Sequence, residues 1–114
     1  MAAVYSTKLF SAPSASGPAT LEYETPMTRL AVVRTITIVY GDISVSGLDA
    51  WVQTDDLCKL ARYVWASTLS DVTNFGGTAT FDLRHVLAPG EGLYVQTAAG
   101  TCDIRCSGYE LTLP

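Results

Sequence analysis

The chain has 114 residues, the size of one domain with its own core. Only 16% of them are charged, against ~25% in a typical soluble domain, which suits a surface covered by neighbouring subunits. The net charge of −4, the scattered cations (Lys8, Arg29, Arg34, Lys59, Arg62, Arg84, Arg105) and the lack of any long apolar run argue against binding nucleic acid, adhering to an anionic membrane or crossing one.

In chain order, Met1 to Phe10 lacks the basic start and apolar run of a secretory signal, and Val4 to Phe10 fits a short strand or a docking arm. Ser11 to Thr20 (SAPSASGPAT) holds only small residues, with two prolines and a glycine. With nothing to bury and no means of forming a ladder, it makes residues 1–20 an N-terminal arm or linker and residues 21–114 a β-sandwich domain. Leu21 and Tyr23 alternate with Glu22 and Glu24, the mark of a half-buried strand, until Thr25-Pro26 stops it.

Arg29 to Tyr40 (RLAVVRTITIVY) is the longest strand pattern, rich in β-branched residues and apolar on both faces in places, as a central strand should be. Strict alternation puts Arg34 on the side of Val32 and Ile36, as a bridging ion pair at a subunit contact or an arginine snorkelling at the sheet's rim. Gly41-Asp42 and Ser46-Gly47 punctuate the next stretch and leave Ile43 to Val45 as a short strand; Leu48 to Thr54 reads as another. Residues 55–67 are ambiguous. Leu57, Leu60, Ala61 and Val64 have helical spacing behind Asp55 and Asp56, yet Arg62 to Trp65 is aromatic and β-branched, so a short helical turn feeding a strand satisfies both.

Gly76-Gly77 reads as a turn. Thr78 to Arg84 alternates Ala79, Phe81 and Leu83 inward with Thr80, Asp82 and Arg84 outward. A Pro89-Gly90 turn, a strand from Leu93 to Thr97 and a tip at Ala98-Ala99-Gly100 follow. Cys102, Ile104 and Cys106 then alternate against Asp103, Arg105 and Ser107, and Tyr109 to Leu113 completes the pattern. Short strands between frequent turn signals predict an all-β chain: an antiparallel sandwich or jelly-roll-like single domain, with one short helix at most.

Chemistry finds no foothold. His85 is the lone histidine, with no nucleophile elbow around any Ser or Cys, and it reads as a strand-end residue rather than a partner for Cys58 or Cys106. No Cys, His or carboxylate set has metal-ligand spacing, Gly76-Gly77 lacks the Lys of a phosphate loop, and Glu22 and Glu24 read as solvated strand acids rather than a glycosidase pair. No catalytic, cofactor or metal residues are assigned, and an enzyme is not expected. The odd cysteine count of three predicts reduced, mostly buried thiols and folding in a reducing cytoplasm. Among the aromatics, Trp51 and Tyr94 fall out of phase with the inward residues of their strands, so they, with Arg34, are the candidate contact surface.

Pro89-Gly90, Leu93-Tyr94-Val95, Ala98-Ala99-Gly100 and Ser107-Gly108-Tyr109-Glu110-Leu111, together with Val32, Arg34, Ile36 and Ile38 upstream, resemble small β-sandwich structural proteins of tailed bacteriophages, of the minor tail protein type in phages of actinobacteria. The likeness covers roughly residues 20 to 113 and departs at Cys102 and Cys106, where valine is expected. It implies a virion component made in the host cytoplasm, packing as a trimer or ring with copies of itself and other virion proteins in the tail or tail tip. A capsid decoration protein is the nearest alternative, and a virion module binding a host receptor or carbohydrate is a further one.

Overall fold

Where period-2 alternation coincides with β-branched or aromatic residues, the chain extends and pairs. The computed structural model describes residues 7–15, 17–40, 48–65 and 78–113. They contain eight strands: β1 (Thr7–Ala15), β2 (Thr20–Glu24), β3 (Arg29–Tyr40), β4 (Leu48–Thr54), β5 (Lys59–Trp65), β6 (Thr78–Leu87), β7 (Gly92–Ala99) and β8 (Thr101–Thr112). All pairings are antiparallel, in two four-stranded sheets ordered β1-β8-β3-β6 and β2-β7-β4-β5. The expected all-β sandwich is what forms.

The pairing has a simple logic. β1 pairs with β8, β2 with β7, β3 with β6 and β4 with β5, as though one long hairpin had been rolled up. The contacts β3·β8 and β4·β7 then close each sheet. Ile36, Ile38, Leu87, Ile104 and Cys106 from the first sheet meet Leu48, Ala50, Val52, Leu93 and Val95 from the second in a single buried cluster.

Three expectations change. The small-residue segment read as an arm or linker instead lies largely within β1, laddered to β8 from Thr7 to Ala15. Its composition is tolerable because β1 is an edge strand: Pro13 is exposed and needs no donor on its free side, while Phe10 anchors the strand in the core. Residues 55–65 contain no helix. Thr54 to Leu57 close a turn through a Leu57 N–H to Thr54 carbonyl bond of 2.9 Å, and Leu57 sits in the left-handed region at φ 66°, which ends any helix before it starts. β5 then splits the helical stripe between faces, burying Ala61 and exposing Val64. Third, the alternation in β3 is broken by a bulge, a register shift between Val33 and Thr35 against both neighbours. Ala31 and Val33 point inward before it, Ile36 and Ile38 after it, and Arg34 is put outside.

The Pro89-Gly90 turn forms as expected. Ala88 and Glu91 close it at 3.0 Å with Gly90 at φ 86°, the left-handed third position of a type II turn. β8 runs unbroken through Gly108. The strand expected at 43–45 and the turns at 41–42, 46–47 and 76–77 lie outside the described residues.

Candidate protein-contact face

β4 turns Leu48, Ala50 and Val52 inward, which leaves Asp49, Trp51 and Gln53 on the outer face of the second sheet. β7 does the same with Leu93, Val95 and Thr97, leaving Tyr94 and Gln96 outside. The register sets Gln53 opposite Tyr94 and Trp51 opposite Gln96, so the two aromatics predicted to be out of phase share one face on adjacent strands. Both are half-buried there. Arg34 does not join them. It stands exposed on the outer face of the other sheet, across the ~10 Å that separates packed sheets.

β5 supplies companions that strand-by-strand reading missed. Arg62 lies opposite Trp51, and Lys59 opposite Gln53. The Lys59 ammonium sits 4.3 Å from the centroid of the Trp51 ring and the Arg62 guanidinium 5.8 Å from it, both within cation–π range. Arg62 also donates two bonds to Asp49, from Nε at 3.0 Å and Nη2 at 2.9 Å, and this fork holds the Asp49 carboxyl below its usual range. The Trp51 indole N–H donates to Gln53 Oε1 at 2.7 Å. The ring is therefore tied along its edge and overlaid by cations. The signal was present in the i, i+2 run Asp49-Trp51-Gln53, once Arg62 is placed opposite by the β4–β5 hairpin.

A second constellation closes one end of the sandwich. Glu110 on β8 accepts from the Tyr23 hydroxyl at 2.5 Å and from Arg29 Nη1 at 2.6 Å. Burial foremost, then the Glu110 bond, pushes the Tyr23 phenol well above its usual value; the same bond leads the lowering of Glu110. This cluster joins β2, β3 and β8, and its groups are committed to one another.

The residues weighed for chemistry are dispersed. Cys106 is fully buried on β8 and burial pushes its thiol up to about 12, so it stays protonated. Cys102 is buried on the same strand and Cys58 is exposed in the β4–β5 turn, so the three thiols are unpaired and mostly buried, as expected. His85 is half-buried within β6, two residues before that strand ends. Asp56 beside Cys58 accepts from Thr54 Oγ1 and from the Cys58 N–H, and these bonds lower its pKa. It serves as a turn cap. Among the described residues no three His, Cys, Asp or Glu side chains gather as metal ligands.

Comparison with protein-family models and with curated proteins finds no match.

Proposed function

We propose that this chain is a non-enzymatic structural protein of a tailed-phage virion, a jelly-roll-like sandwich packed in many copies in the tail or tail tip. The observation that carries the reading is the pairing of first strand with eighth, second with seventh, third with sixth and fourth with fifth. That nesting supports a jelly-roll-like reading, an architecture that recurs in viral shells and also in lectins. Fold alone does not decide between such roles, so the surface must.

Two details favour packing. Sugar recognition on a sheet needs an aromatic ring with a free face, whereas Trp51 carries Lys59 and Arg62 over its ring. A face of aromatic, amide and paired ionic groups suits another protein surface better. The phage-like run Ser107 to Leu111 also has structural tasks here, because Gly108 lies against β3 and Glu110 closes the sandwich end.

Immunogold labelling of virions from the phage that encodes the chain tests the reading. Gold along the tail or at its tip is the expected result. Gold confined to heads would replace the tail assignment with capsid decoration, and unlabelled particles would overturn the virion role.

A further inference from the structure

Four strands end a sheet, β1 and β6 in the first and β2 and β5 in the second, and each turns a row of backbone donors and acceptors outward. Three of these edges carry devices that hinder pairing. β1 has Pro13. β2 is only five residues long. β5 carries Lys59 and Arg62 with no acidic residue, so two copies laid side by side would repel.

β6 differs. It runs ten residues without proline, and its exposed side bears Thr78, Thr80, Asp82, Arg84 and Val86. Both charges are nearly unused among the described residues. Asp82 accepts only a long 3.5 Å bond from Thr35, and Arg84 belongs to neither ion pair found among the described residues.

We propose that β6 is the docking edge for a second copy of this chain, the two β6 strands pairing antiparallel about a two-fold axis at Leu83. In that register Asp82 of each copy faces Arg84 of the other, giving two symmetric ion pairs, while the two Leu83 side chains meet on the inner side and Phe81 faces His85. Sliding the register by two residues either way sets Asp82 against Asp82 or Arg84 against Arg84. The charge pattern therefore selects one alignment, and that alignment is self-complementary, as an isologous contact requires. Phe81, Leu83 and His85 point inward yet are only half-buried at the sheet's end, and a second copy would cover them. The shift between β6 and β3 sets Leu83 and Arg84 together against Arg34 alone, so the second copy pairs across a bulge beside the axis. Paired in this way, two four-stranded sheets become one continuous sheet. The inference rests on reading the chain as an assembly module and names one of its contacts.

Light scattering on the full chain, with circular dichroism as a check of fold, tests it by charge exchange. The native chain is expected to be a dimer. Arg84→Asp sets four carboxylates around the axis and should weaken the dimer roughly a hundredfold. The double exchange Asp82→Arg with Arg84→Asp restores opposite charges and should restore the dimer, which also separates lost pairing from lost folding. A monomeric native chain, a dimer or ring indifferent to Arg84→Asp, or no rescue by the double exchange would each overturn the β6 contact. Each would leave the virion assignment to stand or fall on the labelling of particles.

Discussion

A methyl group added at Gly108 would sit 1.9 Å from the Val32 carbonyl oxygen, well inside van der Waals contact. The obstacle is backbone on the neighbouring strand, at the start of the β3 bulge, and cannot rotate away. Gly92 is a useful contrast. Its added methyl would meet the tip of Leu21 at 2.6 Å, and Leu21 is an exposed side chain that can swing aside, leaving the Tyr23 carbonyl at 3.1 Å as the firmer constraint. Gly108→Ala is thus expected to destabilise the fold by about 1–3 kcal/mol, the range for overpacked interiors, and by more than Gly92→Ala. Urea unfolding measures this as a lowered midpoint at unchanged slope. An equal effect of the two substitutions would show that β3 and β8 can part at the bulge without cost.

At the scale of elements, Glu110 links β8 to β2 through Tyr23 and to β3 through Arg29. Its pKa is lowered from the ordinary 4.5, by the Tyr23 bond first and Arg29 after it. A carboxylate whose folded pKa lies below its unfolded one stabilises the fold at pH values above the unfolded pKa. That contribution is lost as pH falls through the folded value. Stability should therefore decline below about pH 4.5. Glu110→Gln should lower stability at neutral pH and flatten the acid limb, as thermal melts across a pH series would show. An unaltered acid limb would assign the sensitivity to Asp49, held low by Arg62. Elements of this kind explain what the sequence discloses and what it hides. Alternation placed β4, β6, β7 and β8 because each keeps one phase along its inward residues. β3 and β2 defeat it, since a bulge changes phase without leaving a mark such as glycine or proline at Arg34 or Glu22. Trp51 and Tyr94 were legible as outward residues, but Lys59 and Arg62 over the indole depend on the register of β5, which helical spacing at 57–64 obscured. Glu110 and Tyr23 are 87 positions apart, and only the folded topology brings them together.

For the whole molecule, the pairing of first strand with last makes the beginning of the chain part of the sandwich. β1 covers one flank of β8, whose Cys102, Ile104 and Cys106 line the core, and it sends Phe10 into the same cluster. Truncating a buried phenylalanine costs about 3–5 kcal/mol, while a small domain is stable by only about 5–15 kcal/mol in total. Removing the strand deletes that side chain and also leaves the β8 edge without its ladder. A chain lacking residues 1–15 is accordingly expected to lose its cooperative thermal transition or to aggregate through the bared edge. Phe10→Ala separates the two contributions, because it keeps the β1 ladder and removes only the anchor. It should melt cooperatively at a lower temperature, with a deficit of about 3–5 kcal/mol by urea unfolding. Calorimetry of the three chains decides the matter. If the shortened chain unfolds as cooperatively and as late as the full one, β1 is a detachable arm, as its small-residue composition suggests. If it fails while Phe10→Ala survives, covering the β8 edge is the larger task of the first strand.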